Sequence, residues 1–211
     1  MKRALVITLA LIFSIAAQAQ LPTIKPTSTF KVPNISHATY MSEEYDNEDN
    51  ELYWDLHCSP YTTPGTQTVV ASSALSSQGS ASYRASNIID SNHETAWVEG
   101  VSGYGVGQWI EFRDVCGDGT IMSITILNGY VKSDKAWSEN SRVKRLKVYC
   151  DGKPICILEL QNSRSMQVFD VYSVLGGKHY IGKLRFEILD VYPGTKYQDT
   201  VISEIYFTAV S

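Results

Sequence analysis

The stretch that decides the fold runs from residue 85 to residue 97 and reads Ala-Ser-Asn-Ile-Ile-Asp-Ser-Asn-His-Glu-Thr-Ala-Trp. Asp90, Asn92 and Thr95 stand at i, i+2 and i+5, so three oxygen-bearing side chains fall in one short loop. This spacing lets a turn wrap its backbone carbonyls around one cation while the side chains close the shell. The alternative is an empty turn in which Asn87, Asp90 and Thr95 only satisfy backbone groups.

Around this loop, short apolar segments separated by turn residues predict an all-β domain. Residues 183–188 (Lys-Leu-Arg-Phe-Glu-Ile) alternate strictly, as expected of a half-buried strand. Asp151-Gly152 and Pro193-Gly194 are turn pairs, and no window of a dozen residues has a helical stripe. We predict a jelly-roll β-sandwich of about eight antiparallel strands. The predicted strands are 66–72, 108–113, 121–127, 143–150, 155–160, 167–172, 183–190 and 201–209.

The N-terminal region predicts export. Lys2 and Arg3 precede an apolar run, 4–17, and Ala17-Gln18-Ala19 has the form of a signal-peptidase site. Residues 1–19 are therefore predicted to be a cleaved signal peptide, with a secreted or periplasmic mature protein. Residues 20–51 lack an apolar period and are predicted to be a disordered acidic leader. The remaining residues, 52–211, are predicted to form the jelly-roll domain.

Charge argues against nucleic acid as a partner. The 211 residues carry 22 acidic and 18 basic side chains, so no general basic field is present. Seven of the acids fall between Glu43 and Asp55, a stretch without lysine or arginine that we interpret as a solvated linker. No apolar segment after the signal is long enough to cross a membrane.

Four cysteines, Cys58, Cys116, Cys150 and Cys156, allow three disulfide connectivities in an exported chain. A five-residue loop between Cys150 and Cys156 would place them opposite each other. A two-residue Asp-Gly turn would put them on opposite faces and forbid the bond. We favour Cys150–Cys156 together with Cys58–Cys116.

The 85–97 segment, together with Ile-Ser-Glu-Ile-Tyr-Phe at 202–207, resembles the galactose-binding-like jelly roll of discoidin and coagulation-factor C-type domains. That pattern is Ala-x-Asn-x-x-Asp, then Thr-x-Trp, with a Glu-Ile pair in the last strand. The segments 95–100, 128–133, 140–144 and 188–197 are most similar to the subfamily named for NAD glycohydrolase toxins. There the domain is the non-catalytic translocation domain, so the resemblance does not imply NAD hydrolysis.

The resemblance implies a structural calcium ion held by Asp90, Asn92, Thr95 and Glu204, which would tie the loop to the last strand. The sequence departs from the family at Ser91 and His93, where glycine and proline are frequent.

Three aromatic, polar loops (97–107, 130–142 and 192–200) predict the ligand surface, because aromatic planes stack on sugars and polar groups bind hydroxyls. Its predicted contact residues are Tyr130, Trp137, Asn140, Tyr192 and Lys196.

We therefore expect a secreted, non-catalytic module that recognises a glycan or cell-surface ligand. The alternatives are an accessory subunit for protein docking or translocation, and a small hydrolase using Glu94 and Glu99 as acid and base. No nucleophile elbow or metalloprotease motif supports the hydrolase.

Overall fold

The computed structural model describes residues 20–31, 68–115, 120–178 and 181–210. The predicted signal peptide, the acidic stretch, Cys58 and Cys116 lie outside these ranges. The described strands are β1 (Thr23–Ile24), β2 (Ser28–Phe30), β3 (Thr68–Ala71), β4 (Trp97–Val98), β5 (Trp109–Val115), β6 (Thr120–Asn128), β7 (Ser141–Cys150), β8 (Lys153–Glu159), β9 (Met166–Asp170), β10 (Ile181–Tyr192) and β11 (Thr200–Val210). The helical turns are a 3-10 helix (Ala85–Ile89), α1 (Asp134–Glu139) and α2 (Tyr172–Leu175).

The strands form a galactose-binding-like β-sandwich, as predicted. One layer runs β2-β9-β6-β11 and the other β8-β7-β10-β5-β3, and short parallel pairing of β11 with β7 links them. Rings from both layers meet in the interior: Phe112 on β5 and Phe207 on β11 have centroids 4.8 Å apart, and Phe186, on the neighbouring strand β10, lies 5.8 Å from Phe112. One hydrophobic core therefore fills the sandwich.

All eight predicted strands are present, and their alternation holds. In β10, Leu184, Phe186 and Ile188 are buried while Lys183 is exposed. Trp97 is fully buried and donates its ring N–H to the Ser73 carbonyl, so it is a core residue.

The prediction of a disordered leader is wrong for residues 20–31. Thr23–Ile24 pair in parallel with β8, and Ser28–Phe30 pair antiparallel with β9. These strands are too short to show a sequence period, and the exposed edges of β8 and β9 supply their hydrogen-bonding partners.

The preferred Cys150–Cys156 disulfide is also wrong, because both residues are free, buried thiols. The turn is the two-residue form, with Asp151 and Gly152 at φ +48° and +80°. Both cysteines nevertheless face the same core. The register shift between Val148 and Tyr149 gives β8 one extra residue, which brings Cys156 to the same face of the sheet as Cys150. Burial raises the pKa of the Cys156 thiol to about 12.

Candidate functional site

The three loops singled out by the sequence lie side by side at one end of the sandwich. Ser141 donates its backbone N–H to the Asp199 carbonyl (3.0 Å) and its hydroxyl to the Tyr197 carbonyl (3.1 Å). Thr200 donates its hydroxyl to the Tyr104 carbonyl (2.8 Å). Together with the β8–β9 connection they form one surface, which we call the loop end: residues 99–108, 129–140, 160–165 and 193–199.

Glu99 fastens the first loop to β11. It is fully buried, and its carboxylate accepts the backbone N–H of Val101 (2.8 Å) and of Thr200 (3.3 Å). Burial raises the pKa of this carboxyl, the two amide donors oppose the rise, and Asp199 adds to it. Both Glu99 oxygens are thus engaged in anchoring the loop, an arrangement that does not suit the catalytic acid or base of the hydrolase alternative. Glu94, the other member of that pair, is exposed.

Arg142 is the centre of the loop end. Its guanidinium stacks on the Trp137 ring (4.5 Å from carbon to centroid) and donates to the carbonyls of Asn140 (2.8 Å) and Trp137 (3.4 Å). It also donates to the side chain of Asn162 on the 160–165 segment. Charged residues on a strand usually lie on its solvated face, yet only 6% of Arg142 is exposed.

Two predicted contact residues, Trp137 and Asn140, lie directly against Arg142 and are half-buried. Trp137 also donates its ring N–H to the Asn128 carbonyl (3.0 Å), and Asn140 ends α1 by donating to the Ala136 carbonyl. Both side chains therefore hold the loop in shape as well as lining it.

The other predicted contacts are more dispersed. Tyr192 pairs with Arg142 across the strands and donates its hydroxyl to the Leu160 carbonyl (3.0 Å). Lys196 is exposed, with its ammonium 4.7 Å from the Tyr197 ring centroid. Tyr130 packs instead beside Tyr83 on a separate small cluster.

Sequence reasoning missed three residues of this surface: Arg142, Asn162 and Tyr197. Tyr197 was inside a predicted loop but not among the chosen contacts, and 40% of it is exposed. The alternation of β7 could not mark Arg142, because its burial depends on loops that are distant in sequence.

The 90–95 loop brings two of the predicted cation ligands, Asp90 and Thr95, together. The Thr95 hydroxyl lies 2.9 and 2.8 Å from the two Asp90 carboxylate oxygens, and the Asn92 backbone N–H donates to one of them (3.0 Å). The Asn92 side chain accepts the Glu94 N–H instead (3.1 Å). Ser91 adopts φ +56°, a left-handed conformation that favours glycine and is uncommon for serine.

Glu204 faces this loop from β11. It is fully buried, and neither carboxylate oxygen has a partner at hydrogen-bond geometry among the described residues. Burial and the facing Asp90 raise its pKa well above the usual range, while the Ser91 and Asn92 amides oppose the rise.

This donor set fits a calcium ion. A buried carboxylate that lacks a hydrogen-bond partner and faces a second carboxylate is costly unless a proton or a cation neutralises it, and a calcium ion between Asp90 and Glu204 would do so. Within the described ranges no group of three or more His, Cys, Asp or Glu side chains could hold a metal, so further ligands would be hydroxyl and carbonyl oxygens. Calcium accepts such ligands, whereas zinc prefers nitrogen and sulfur.

Fold and site together define the class: a discoidin-like β-sandwich of the galactose-binding type, with a carboxylate-bearing loop against its last strand. The chain belongs to the family described as the NAD glycohydrolase translocation F5/8 type C domain, which matches residues 60–208.

Solved structures support the fold. The carbohydrate-binding module CBM32-5 from Clostridium perfringens, in complex with GalNAc-β-1,3-galactose, matches with TM-score 0.51 and 17% identity over 69% of this chain and 97% of that one. A putative chitobiase fragment from Bacteroides thetaiotaomicron matches with TM-score 0.50 and 14% identity over 70% of this chain and 91% of that one. A C. perfringens structure of two CBM32 domains matches with TM-score 0.51 and 11% identity over 91% of this chain and 42% of that one.

A search of curated proteins finds no match. In the part of the chain described, no helix has the length and apolar character needed to span a membrane.

Proposed function

We propose that this protein is an exported, non-catalytic module that binds a glycan at the loop end. The observation that carries the proposal is the hydrogen-bonded assembly of four loops at one end of the sandwich, two of them bonded to Arg142, which presents aromatic rings, amides and cations on one surface. These groups recognise sugars, because rings stack on the apolar face of a pyranose and polar groups bind its hydroxyls. The C. perfringens module solved with GalNAc-β-1,3-galactose has the same fold.

Tyr197 offers the cleanest test, since it is exposed and its removal leaves the core intact. We expect Tyr197→Ala to weaken binding to glycans that the wild-type protein selects on an array by about tenfold, the effect of losing one stacked ring. Its melting temperature should stay within about a degree of wild type, as for most surface substitutions.

Tyr172→Ala is the matched control. Tyr172 is 48% exposed and lies at the start of α2, at the opposite end of the strands. Loss of binding in Tyr172→Ala with full binding in Tyr197→Ala would place the site elsewhere. An array without any glycan signal would contradict the proposal.

We also propose that Asp90, Thr95 and Glu204, with the carbonyl of Asn92 as a further donor, hold a structural calcium ion. Added calcium at about 100 times its dissociation constant should stabilise the fold by about 2.7 kcal/mol, which raises the melting temperature by about 5–10 °C for a domain of this size.

Glu204→Gln should abolish this calcium response, because it removes the buried charge that the ion neutralises. Glu94→Gln, an exposed change in the same loop, should retain it. The calcium proposal is wrong if chelation leaves the melting temperature of metal-loaded wild type unchanged and no calcium co-purifies.

A second candidate is an accessory role in protein docking or translocation, favoured by the family to which the chain belongs. Val101 (38% exposed) and Val106 (60%) give the 99–108 loop an apolar tip that such a role could use. Substituting both by serine removes this apolar tip: docking to a protein partner should be lost, while glycan binding, which uses rings and polar groups, should fall much less.

A further inference from the structure

Arg142 is a buried cation without an anion. Among the described residues, none of the ion pairs includes it, although only 6% of the residue is exposed. Its neighbours Lys144 and Arg145 share Asp190, so each of the other two cations at the start of β7 has a carboxylate partner. A buried charge that has only neutral partners is unfavourable, and an anion bound beside Arg142 would balance it.

The two edges of the guanidinium differ. Nη1 donates to backbone carbonyls of Asn140 (2.8 Å) and Trp137 (3.4 Å), groups fixed by α1. Nε and Nη2 both donate to one atom, Oδ1 of Asn162, at 3.2 and 3.1 Å. This second edge offers two parallel N–H groups, the arrangement that matches the two oxygens of a carboxylate.

Asn162 is an exchangeable occupant of that edge. It is exposed on the 160–165 segment, and one neutral amide oxygen serves both donors. Rotation about its side-chain bonds would uncover Nε and Nη2 without moving a strand. An incoming carboxylate would replace one shared neutral acceptor by two charged ones.

We propose that the glycan bound at the loop end carries a carboxylate, as in a uronic acid, and that this carboxylate displaces the Asn162 amide to pair with Nε and Nη2 of Arg142. The inference rests on the proposed function and names the ligand class of the same site. The Trp137 ring on the face of the guanidinium keeps it aligned for this pairing.

Calorimetry with oligogalacturonate and its methyl ester tests the inference, because the two probes differ only in one charge and one methyl group on each sugar. We expect the acid to bind about ten- to a hundredfold more tightly than the ester, the range for hydrogen bonds to a charged partner. Neutral galacto-oligosaccharides form a third arm, which tests glycan binding itself.

Asn162→Asp should supply the missing carboxylate from within the chain. The preference for the acid over the ester should disappear and the melting temperature should rise. Gln161→Glu makes the same amide-to-carboxylate change on the exposed neighbouring residue and should keep the preference. Asn162→Ala removes the competing acceptor and should bind the acid at least as tightly as wild type.

The outcomes separate the two levels of the argument. Equal binding of acid and ester by wild type, or an acid preference that survives in Asn162→Asp, overturns the inference and leaves the glycan-binding proposal standing. Absence of binding to all three probes and to every glycan on the array contradicts the proposed function, and the inference falls with it.

Discussion

At the scale of single residues, Gly105 shows how closely the loop end is fitted. It adopts φ +64°, and a Cβ at this position would lie 2.4 Å from Cγ and 2.5 Å from Cδ of Glu99. Glu99 is the carboxylate that anchors the loop through Val101 and Thr200. A side chain at residue 105 would therefore push the anchor out of position.

We predict that Gly105→Ala lowers the free energy of unfolding by more than Gly176→Ala does. Gly176 has the same φ, +64°, with nothing within 4 Å of its Cβ position, so it reports backbone strain alone, about 1–2 kcal/mol. The clash with Glu99 should add about 1–3 kcal/mol, as overpacking does. Urea unfolding measures both variants; equal losses would show that Glu99 does not confine the loop.

At the scale of elements, the alternating pattern made the long strands predictable. Strict alternation over residues 183–188 predicts the strand 183–190, and the structure extends that strand to Ile181–Tyr192. Strands of two or three residues, such as Thr23–Ile24 and Ser28–Phe30, carry no period. Their existence depends on pairing with β8 and β9, which no local pattern shows.

The β7–β8 hairpin shows a second limit of prediction from the sequence. The Asp-Gly pair correctly predicts a turn, but the one-residue register shift near Tyr149 changes which side chains share a face. Counting residues through the turn therefore does not show whether Cys150 and Cys156 lie on the same face. A bulge reverses the face that a side chain occupies, and it has no sequence signal of its own.

The candidate site was only partly predictable from the sequence. Composition identified the aromatic loops, and the structure joins them at one end. Arg142 was missed because a charged residue on a strand is usually solvated, and the groups that bury it, Trp137 and Asn162, come from separate loops. Only the fold brings the three together.

At the scale of the whole molecule, the two ends of the sandwich differ in kind. The loop end carries a buried cation, side-chain amides, half-buried aromatic rings and the exposed ring of Tyr197, on segments tied together by hydrogen bonds. The other end carries α2, the Cys150–Lys153 turn and the beginnings of β6 and β10. The loop end is therefore the surface at which we propose that the ligand binds.

Amide chemical-shift mapping during a glycan titration tests whether the ligand binds at the loop end, because the amides of both ends of the sandwich are followed in one experiment. The probe is the tightest-binding glycan from the array. We predict that the perturbed amides cluster in 99–108, 129–140, 160–165 and 193–199, with the α2 end unchanged. Perturbations centred on α2 and the Cys150–Lys153 turn, with the amide shifts of the loop end unchanged, would contradict binding at the loop end.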